Sequence, residues 1–132
     1  MPVPRNQPTE MACVEFVKTI ELGPRDALFD GTRMLFLGSA NVRRVCQLIA
    51  RANDLVITAA YRFSRLPGED IDLIIVQFCG EVTEWMVKDV VKTSKLRLHG
   101  FRYRQVPAQA FWALKNAGRS IVDYTGLYLK PT

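Results

Sequence analysis

The hydrophobic positions between residues 33 and 106 follow two different periods. The run Arg33–Gly38 is continuously apolar after its first residue, as in a buried strand, and the stretch after it repeats apolar residues at the i, i+3, i+4 and i+7 spacing of a helix. Two runs rich in β-branched and aromatic residues, 55–63 and 71–79, flank the turn signal Leu66–Asp70 and predict an antiparallel hairpin. The helical positions are Val42, Val45, Cys46 and Ile49, with Ser39 or Asn41 as the candidate N-cap.

A second helix and an interrupted strand complete this part of the pattern. Thr83 can cap a helix that has Glu84 in its first turn, where the helix dipole favours a negative charge. Its apolar stripe consists of Val87, Val90 and Val91. The alternation of a strand resumes at Leu96 and changes phase at Gly100, which predicts a β-bulge at that glycine.

Further elements are predicted before and after this region. The stretch Ala12–Leu22 alternates loosely and predicts a strand, preceded by an extended tail over residues 1–10. Pro107 suits the first turn of a last helix that ends at Gly118, and residues 121–129 predict a last strand. One apolar face of that helix is formed by Ala110, Phe111, Leu114 and Ala117. The chain is therefore expected to form a single domain over residues 11–132.

The predicted order from residue 33 to residue 106 is strand, helix, strand, strand, helix, strand. This is the split βαβ order of the ferredoxin-like fold, and the handedness rule for crossovers places both helices on one face of a four-stranded antiparallel sheet. The sequence thus predicts an α+β fold, in which a ferredoxin-like core is extended by an N-terminal strand and by a C-terminal helix and strand.

Two segments of this core resemble the RNA-recognition motif, over about half of the chain. Leu35–Gly38 is similar to the first-strand signature of that family, and Ile74–Phe78 is similar to the end of its third-strand signature. The resemblance implies RNA binding on an open sheet face. The two third-strand positions that hold stacking rings in the family are Leu73 and Ile75 here, and only Phe36 keeps the aromatic character. Such an apolar face is expected to be covered by the terminal segments or by a partner subunit.

Charge is distributed unevenly along the chain. The net charge of +5 is made up of −2 over residues 1–32, +5 over 33–65, −5 over 66–89 and +7 over 90–132. No acidic residue lies between Asp89 and Asp123, and arginine outnumbers lysine 12 to 6. Because a guanidinium binds phosphate in a bidentate way, nucleic acid is the predicted partner, with RNA favoured, and peripheral contact with an anionic membrane is an alternative.

The candidate contacts come from the first predicted helix and from the stretch without acidic residues. Arg102 and Arg104 share one strand face and can contact phosphates together. A basic surface that serves solubility alone is the simpler alternative. The predicted nucleic-acid-binding residues are Arg43, Arg44, Arg51, Lys92, Lys95, Arg97, Arg102, Tyr103 and Arg104.

Residue types that catalysis and metal binding require are sparse. His99 is the only histidine, and the three cysteines lack the C-x-x-C spacing of a zinc site, so neither a catalytic triad with histidine nor a structural metal is predicted. Carboxylates near the hairpin turn could hold Mg²⁺ in a nuclease, although a solvated turn is the simpler interpretation. They are Glu69, Asp70 and Asp72, with Glu81 and Glu84 further along the chain. We expect a binding protein without a cofactor, not an enzyme.

The cysteines and the hydropathy of the chain indicate where the protein is located. Cys13, Cys46 and Cys79 are odd in number, widely spaced and set among apolar neighbours, which indicates reduced, buried thiols in an intracellular protein of the cytoplasm or nucleus. No apolar window is long enough to span a membrane, and the N-terminus lacks a signal-peptide core.

The second functional hypothesis is a homo-oligomeric structural protein of the viral matrix or shell type, or an adaptor, because the acidic and basic blocks could pair head to tail.

Overall fold

The computed structural model describes residues 30–38, 41–98 and 100–131, which form an α+β structure built on one sheet. In chain order the elements are β1 (Arg33–Gly38), α1 (Val42–Ala52), β2 (Val56–Phe63), β3 (Asp72–Cys79), α2 (Glu84–Ser94), β4 (Arg102–Gln105), α3 (Gln109–Asn116), β5 (Ile121–Asp123) and α4 (Thr125–Leu129). The sheet is antiparallel and has five strands in the order β4-β1-β3-β2-β5. β5 therefore adds a fifth strand beside β2, which the predicted four-stranded sheet does not include.

The central strand β3 fixes the register of the sheet. β1 pairs with it from Arg33 opposite Gln77 to Gly38 opposite Asp72. β2 pairs with its other side, with a register shift between Ile57 and Ala59. The edge strands β4 and β5 are short and pair with β1 and β2. Short edges of this kind limit the backbone that is open to pairing with other chains.

Apolar residues follow one another along β1 and β3 without polar residues between them. Because successive side chains of a strand point to opposite faces, such a run places apolar groups on both faces of the sheet. Met34 and Phe36 point to one side, called here the first face, and Leu35 and Leu37 point to the other, the second face; all four are at most 4% exposed. Both faces must consequently be covered.

The first face is covered by α1 and α2. The apolar stripes of the two helices are buried against Met34, Phe36 and the inward residues of β3. The Thr83 hydroxyl caps α2 by accepting a hydrogen bond from the Met86 amide at 3.3 Å. Asn41 precedes α1 in a left-handed conformation with φ 63° and makes no side-chain cap, contrary to the capping role predicted for it. The reason is its left-handed backbone, because a capping residue is normally extended so that its side-chain oxygen can accept from the first turn.

The second face is partly covered by α3. Ala110 and Leu114 are fully buried in a cluster with Leu35 and other residues of this face. Phe111 contacts Tyr61 edge-on, with 5.2 Å between the ring centroids, and it contacts Phe63 in the same way at 5.5 Å. Part of the expected cover for the apolar face therefore comes from a C-terminal helix of the same chain.

A buried ion pair attaches the end of α3 to the turn between β2 and β3. Arg119 is 3% exposed, and its two terminal nitrogens donate to the two carboxylate oxygens of Glu69 at 2.6 and 2.7 Å. The same guanidinium donates to the Ser64 carbonyl at 3.1 Å, and Glu69 also accepts from the Leu66 amide at 2.7 Å. The prediction of a solvated turn is thus wrong for Glu69, because a charged partner distant in sequence compensates its burial.

Two predictions for the C-terminal half are wrong. Leu96 and Leu98 are not in a strand, and β4 pairs with β1 without a bulge. Gly100, with φ 61°, instead lies close to the Ile71 side chain, where an added Cβ would come within 3.1 Å of a methyl group. The predicted strand over residues 121–129 ends at Asp123, whose carboxylate accepts from the Thr125 amide at 2.8 Å and starts the turn into α4.

Several sequence predictions lie outside the described residues. They are the tail over residues 1–10, the strand Ala12–Leu22, the alternative cap Ser39, and the side chains of Cys13 and His99.

Replacing Arg119 with methionine is expected to destabilise the protein by about 3–5 kcal/mol, because it leaves the Glu69 carboxylate buried without its partner. Urea unfolding at neutral pH measures the loss. Arg65→Met is the matched control: that guanidinium is 40% exposed in its pair with Asp72, so its removal should cost at most about 1 kcal/mol. Equal losses in the two variants would contradict a structural role for the buried pair.

The two described cysteines are expected to differ sharply in reactivity. Burial raises the pKa of the Cys46 thiol well above its usual range, whereas Cys79, contrary to the burial predicted for it, is exposed because it is the last residue of β3. In a Cys13→Ser chain, Cys79 should react with a disulfide reagent at once, and Cys46 should react at least about a thousandfold more slowly because it needs unfolding. A Cys79→Ser variant identifies the fast phase. Equal rates for both thiols would show that the packing of α1 on the first face does not bury Cys46.

Candidate nucleic-acid interface

The topology brings the start of α1 and the end of α2 to the same end of the sheet. β1 and β3 are antiparallel, and each is followed by a helix that returns over the first face, so α1 and α2 run in opposite directions. The side-chain nitrogen of Asn41, just before α1, donates to the carbonyl oxygen of Arg97, in the loop after α2, at 2.9 Å. That loop then leads to Arg102 at the start of β4. Three elements therefore meet at one end of the molecule.

Basic side chains collect at this end. Arg44 lies in the first turn of α1, which has no acidic residue, and it is half-buried. The first turn of α1 also supplies the positive end of the helix dipole. The other members are exposed and belong to the end of α2, the loop and the start of β4. We call this surface the basic end; it consists of Arg44, Lys92, Lys95, Arg97 and Arg102.

Arg43 lies in the same turn as Arg44 but holds the C-terminal part of the chain. Its Nη2 donates to the carbonyl of Lys130 at 3.1 Å and to the carbonyl of Pro131 at 3.4 Å. Gln47, one turn later in α1, donates to the carbonyls of Tyr128 and Lys130. These bonds fix α4 against α1. A phosphate at Arg43 would have to compete with them.

The remaining predicted contacts are separated from one another. Arg51 is seven residues after Arg44 in α1, about 10 Å away along the helix axis, near the opposite end of the sheet. Arg102 and Arg104 pair with Leu37 and Leu35, so both point to the second face, as expected. Tyr103 points to the first face, where its ring packs 5.7 Å from that of Phe101.

The predicted carboxylate cluster is divided between the two ends of β3. Glu69 is held by Arg119, and Asp72 accepts hydrogen bonds from Arg62 at 3.2 Å and from Arg65 at 2.8 Å. Glu81 and Glu84 follow the other end of the strand, roughly 25 Å away for eight extended residues. Among residues 30–38, 41–98 and 100–131, no group of three or more histidine, cysteine or carboxylate side chains could hold a metal ion.

An open groove lies on the second face beside α3, and it is not among the sites predicted from the sequence. Its volume is about 240 Å³. Its side chains come from three strands and from α3, so only the folded chain brings them together. The sequence signal for the groove is a polar residue beside or within each apolar run, Arg33 at the start of β1 and Gln77 in β3. These two residues pair with each other in the sheet. The lining residues are Arg33, Tyr61, Ile75, Gln77, Ala108, Phe111 and Trp112.

The rim of the groove has two distinct features. Hydrogen bonds from the Thr32 hydroxyl and amide lower the pKa of Asp30, and this carboxylate holds Arg33 at 3.3 Å. On the opposite side Trp112 is 56% exposed, and the ammonium group of Lys115 lies 5.1 Å from the centroid of its ring. A tryptophan exposed to this extent is uncommon, because its large apolar surface is usually buried.

No family model matches the sequence, and neither a curated protein nor a solved structure matches it. The resemblance to the RNA-recognition motif therefore stays a prediction. In the part of the chain that the structure describes, no helix has the length and apolar character needed to cross a bilayer.

Proposed function

We propose that the protein binds nucleic acid, with RNA favoured, by holding the phosphate backbone at the basic end. The observation that carries the proposal is the hydrogen bond from Asn41 to the carbonyl of Arg97, because it joins the start of α1 to the loop after α2. Cations from three elements then lie at one end of the sheet, with Arg102 on the side of the second face. Contacts of this kind position a backbone and read little of its base sequence.

The chemistry of the basic end favours phosphate as the ligand. Three of its five cations are arginines, whose planar donors fit phosphate oxygens in pairs. The binding free energy would come mainly from the release of counterions from the nucleic acid, so affinity should fall steeply with salt. The proposed role is binding, without catalysis or a cofactor. The two described cysteines are free, which supports an intracellular location in the cytoplasm or nucleus.

We also propose that β1 to β4, with α1 and α2, form a ferredoxin-like unit. Support comes from the chain order strand, helix, strand, strand, helix, strand and from the position of both helices on one face. β5 beside β2 and α3 on the second face depart from that unit. Since α3 covers part of the face that the RNA-recognition motif uses, the proposed RNA contact lies at the basic end instead.

Self-association is the second candidate function, and exposed apolar side chains near β2 favour it. β5 pairs with β2 only over Tyr61–Phe63, so within the described residues the first half of β2 has no strand partner on that side. α4 lies beside this part of β2, and several apolar groups around it stay exposed: Val56, Val122, Leu127 and Leu129 are each more than two-fifths exposed. A second copy could cover them.

Reversing two charges of the basic end should weaken RNA binding. Lys95→Glu with Arg97→Glu is expected to lower the affinity for a labelled single-stranded RNA by about an order of magnitude, on the order of 1.4 kcal/mol. The slope of log affinity against log salt should become shallower by about 1.4, since two phosphate contacts are lost. Fluorescence anisotropy across a salt series measures both quantities.

The matched control places the same change in net charge elsewhere. Arg51→Glu with Arg33→Glu should leave the affinity within about twofold, because both residues lie toward the opposite end of the sheet from the basic end. Equal weakening in the two double variants would show that the affinity depends on the net charge of the protein and not on the basic end. Binding to anionic vesicles without binding to RNA would show that the ligand of the basic end is an anionic membrane surface and not nucleic acid.

The self-association proposal is tested by light scattering at high protein concentration and low salt. It predicts a mass above 15.0 kDa that falls when Val56 and Leu129 are changed to lysine. A monomeric mass for the unchanged protein would remove this second candidate and leave the RNA proposal intact.

A further inference from the structure

We propose that the groove beside α3 is the docking site for residues Ala12–Leu22 of the same chain, with Val14 and Phe16 inside it. This inference does not depend on the proposed function. It combines the shape and chemistry of the groove, the point at which the chain reaches it, and the pattern of the segment that precedes β1.

The groove presents apolar surface that is only partly covered. Ile75 forms part of its floor, Tyr61 and Phe111 pack against each other, and Trp112 remains 56% exposed. Covering the indole of Trp112 with another apolar side chain would remove a large apolar area from water. A cavity of about 150 Å³ accommodates a benzene molecule, so a groove of about 240 Å³ has room for a phenyl ring and a smaller aliphatic group.

The described chain begins at the rim of this groove. Asp30 is bonded to Thr32 and to Arg33, and the Arg33 side chain itself lines the groove. Phe16 is 14 residues before Asp30, and an extended chain of that length spans up to about 46 Å. The segment can therefore reach any part of the groove without strain.

The pattern and charge of the segment fit the groove. In an extended chain Val14 and Phe16 share one side, with Glu15 on the other. The segment carries two glutamates and one lysine, and the groove is lined by one arginine, which Asp30 pairs, and no carboxylate. The net charge of the segment is thus opposite to that of the adjacent strand β4, which carries two arginines.

A tethered segment also suits the size of the groove better than a second molecule does. Stable association of two proteins commonly buries at least about 1,200 Å² and must offset the loss of free translation and rotation. The seven lining residues offer far less surface than that. A segment of the same chain is held nearby at high effective concentration, so a few apolar contacts are enough.

Energy transfer within the full-length chain tests the proposal. The chain contains two tryptophans, so Trp85→Phe leaves Trp112 as the single donor. With Cys79→Ser, a fluorescent acceptor can be attached to Cys13, because Cys46 is buried and protected. The matched control carries Trp112→Phe instead, so that the donor is Trp85, which is exposed on α2 over the first face.

The proposal predicts several-fold stronger transfer from Trp112 than from Trp85 in native buffer, and similar transfer from both in denaturant. Phe16→Asp should reduce the transfer from Trp112 to the control level, whereas Thr19→Asp, which adds the same charge on the other side of the segment, should not. If Phe16→Asp alters folding, Ala108→Glu at the rim of the groove should cause the same loss of transfer.

Equal transfer from the two donors in native buffer would overturn the proposal. So would transfer from Trp112 that disappears when labelled chains are diluted with an excess of unlabelled chains, because a second copy would then occupy the groove. Transfer that is unchanged by both Phe16→Asp and Ala108→Glu would likewise show that the segment docks elsewhere.

Discussion

β1 and β3 carry consecutive apolar side chains, and because neighbouring side chains of a strand point in opposite directions, the sheet is apolar on both faces. Helices must therefore cover both faces of the sheet. α1 and α2 cover the first face with their apolar stripes, and α3 covers part of the second. The pair between Arg119 and Glu69 then fixes the end of α3 and returns the chain to the sheet edge as β5.

The same arrangement determines where charge appears on the surface. Covering one face with two helices that run in opposite directions places the start of one beside the end of the other, and the loop into β4 is fixed there by Asn41. The basic end thus follows from the packing of the core. The acidic residues of the middle of the chain are separated by the length of β3, and two of those near its start, Glu69 and Asp72, are held by arginines.

The sequence predicts the elements whose pattern is local and leaves out those that depend on distant contacts. The periodic stripes of α1 and α2 and the hairpin of β2 and β3 are visible in the sequence because burial repeats there with a regular period. The sequence of α4 suggests a strand because Tyr128 and its neighbours are apolar, whereas in the folded chain this segment packs against β2 and α1 as a helix. Neither the Arg119–Glu69 pair nor the groove could be predicted, since each joins residues far apart in the chain. For the candidate site, the sequence identifies the arginines but does not show which of them lie near one another in the folded chain.

A titration of the ¹⁵N-labelled protein with a short single-stranded RNA, followed by amide chemical shifts, would locate the nucleic-acid surface. Binding at the basic end predicts that the shifts concentrate at the start of α1, in the loop after α2 and at the start of β4, while the amides around Arg51 and β5 change little. Shifts that concentrate around Arg51 or β5, or the absence of shifts at low salt, would contradict the assignment of the basic end as the nucleic-acid surface.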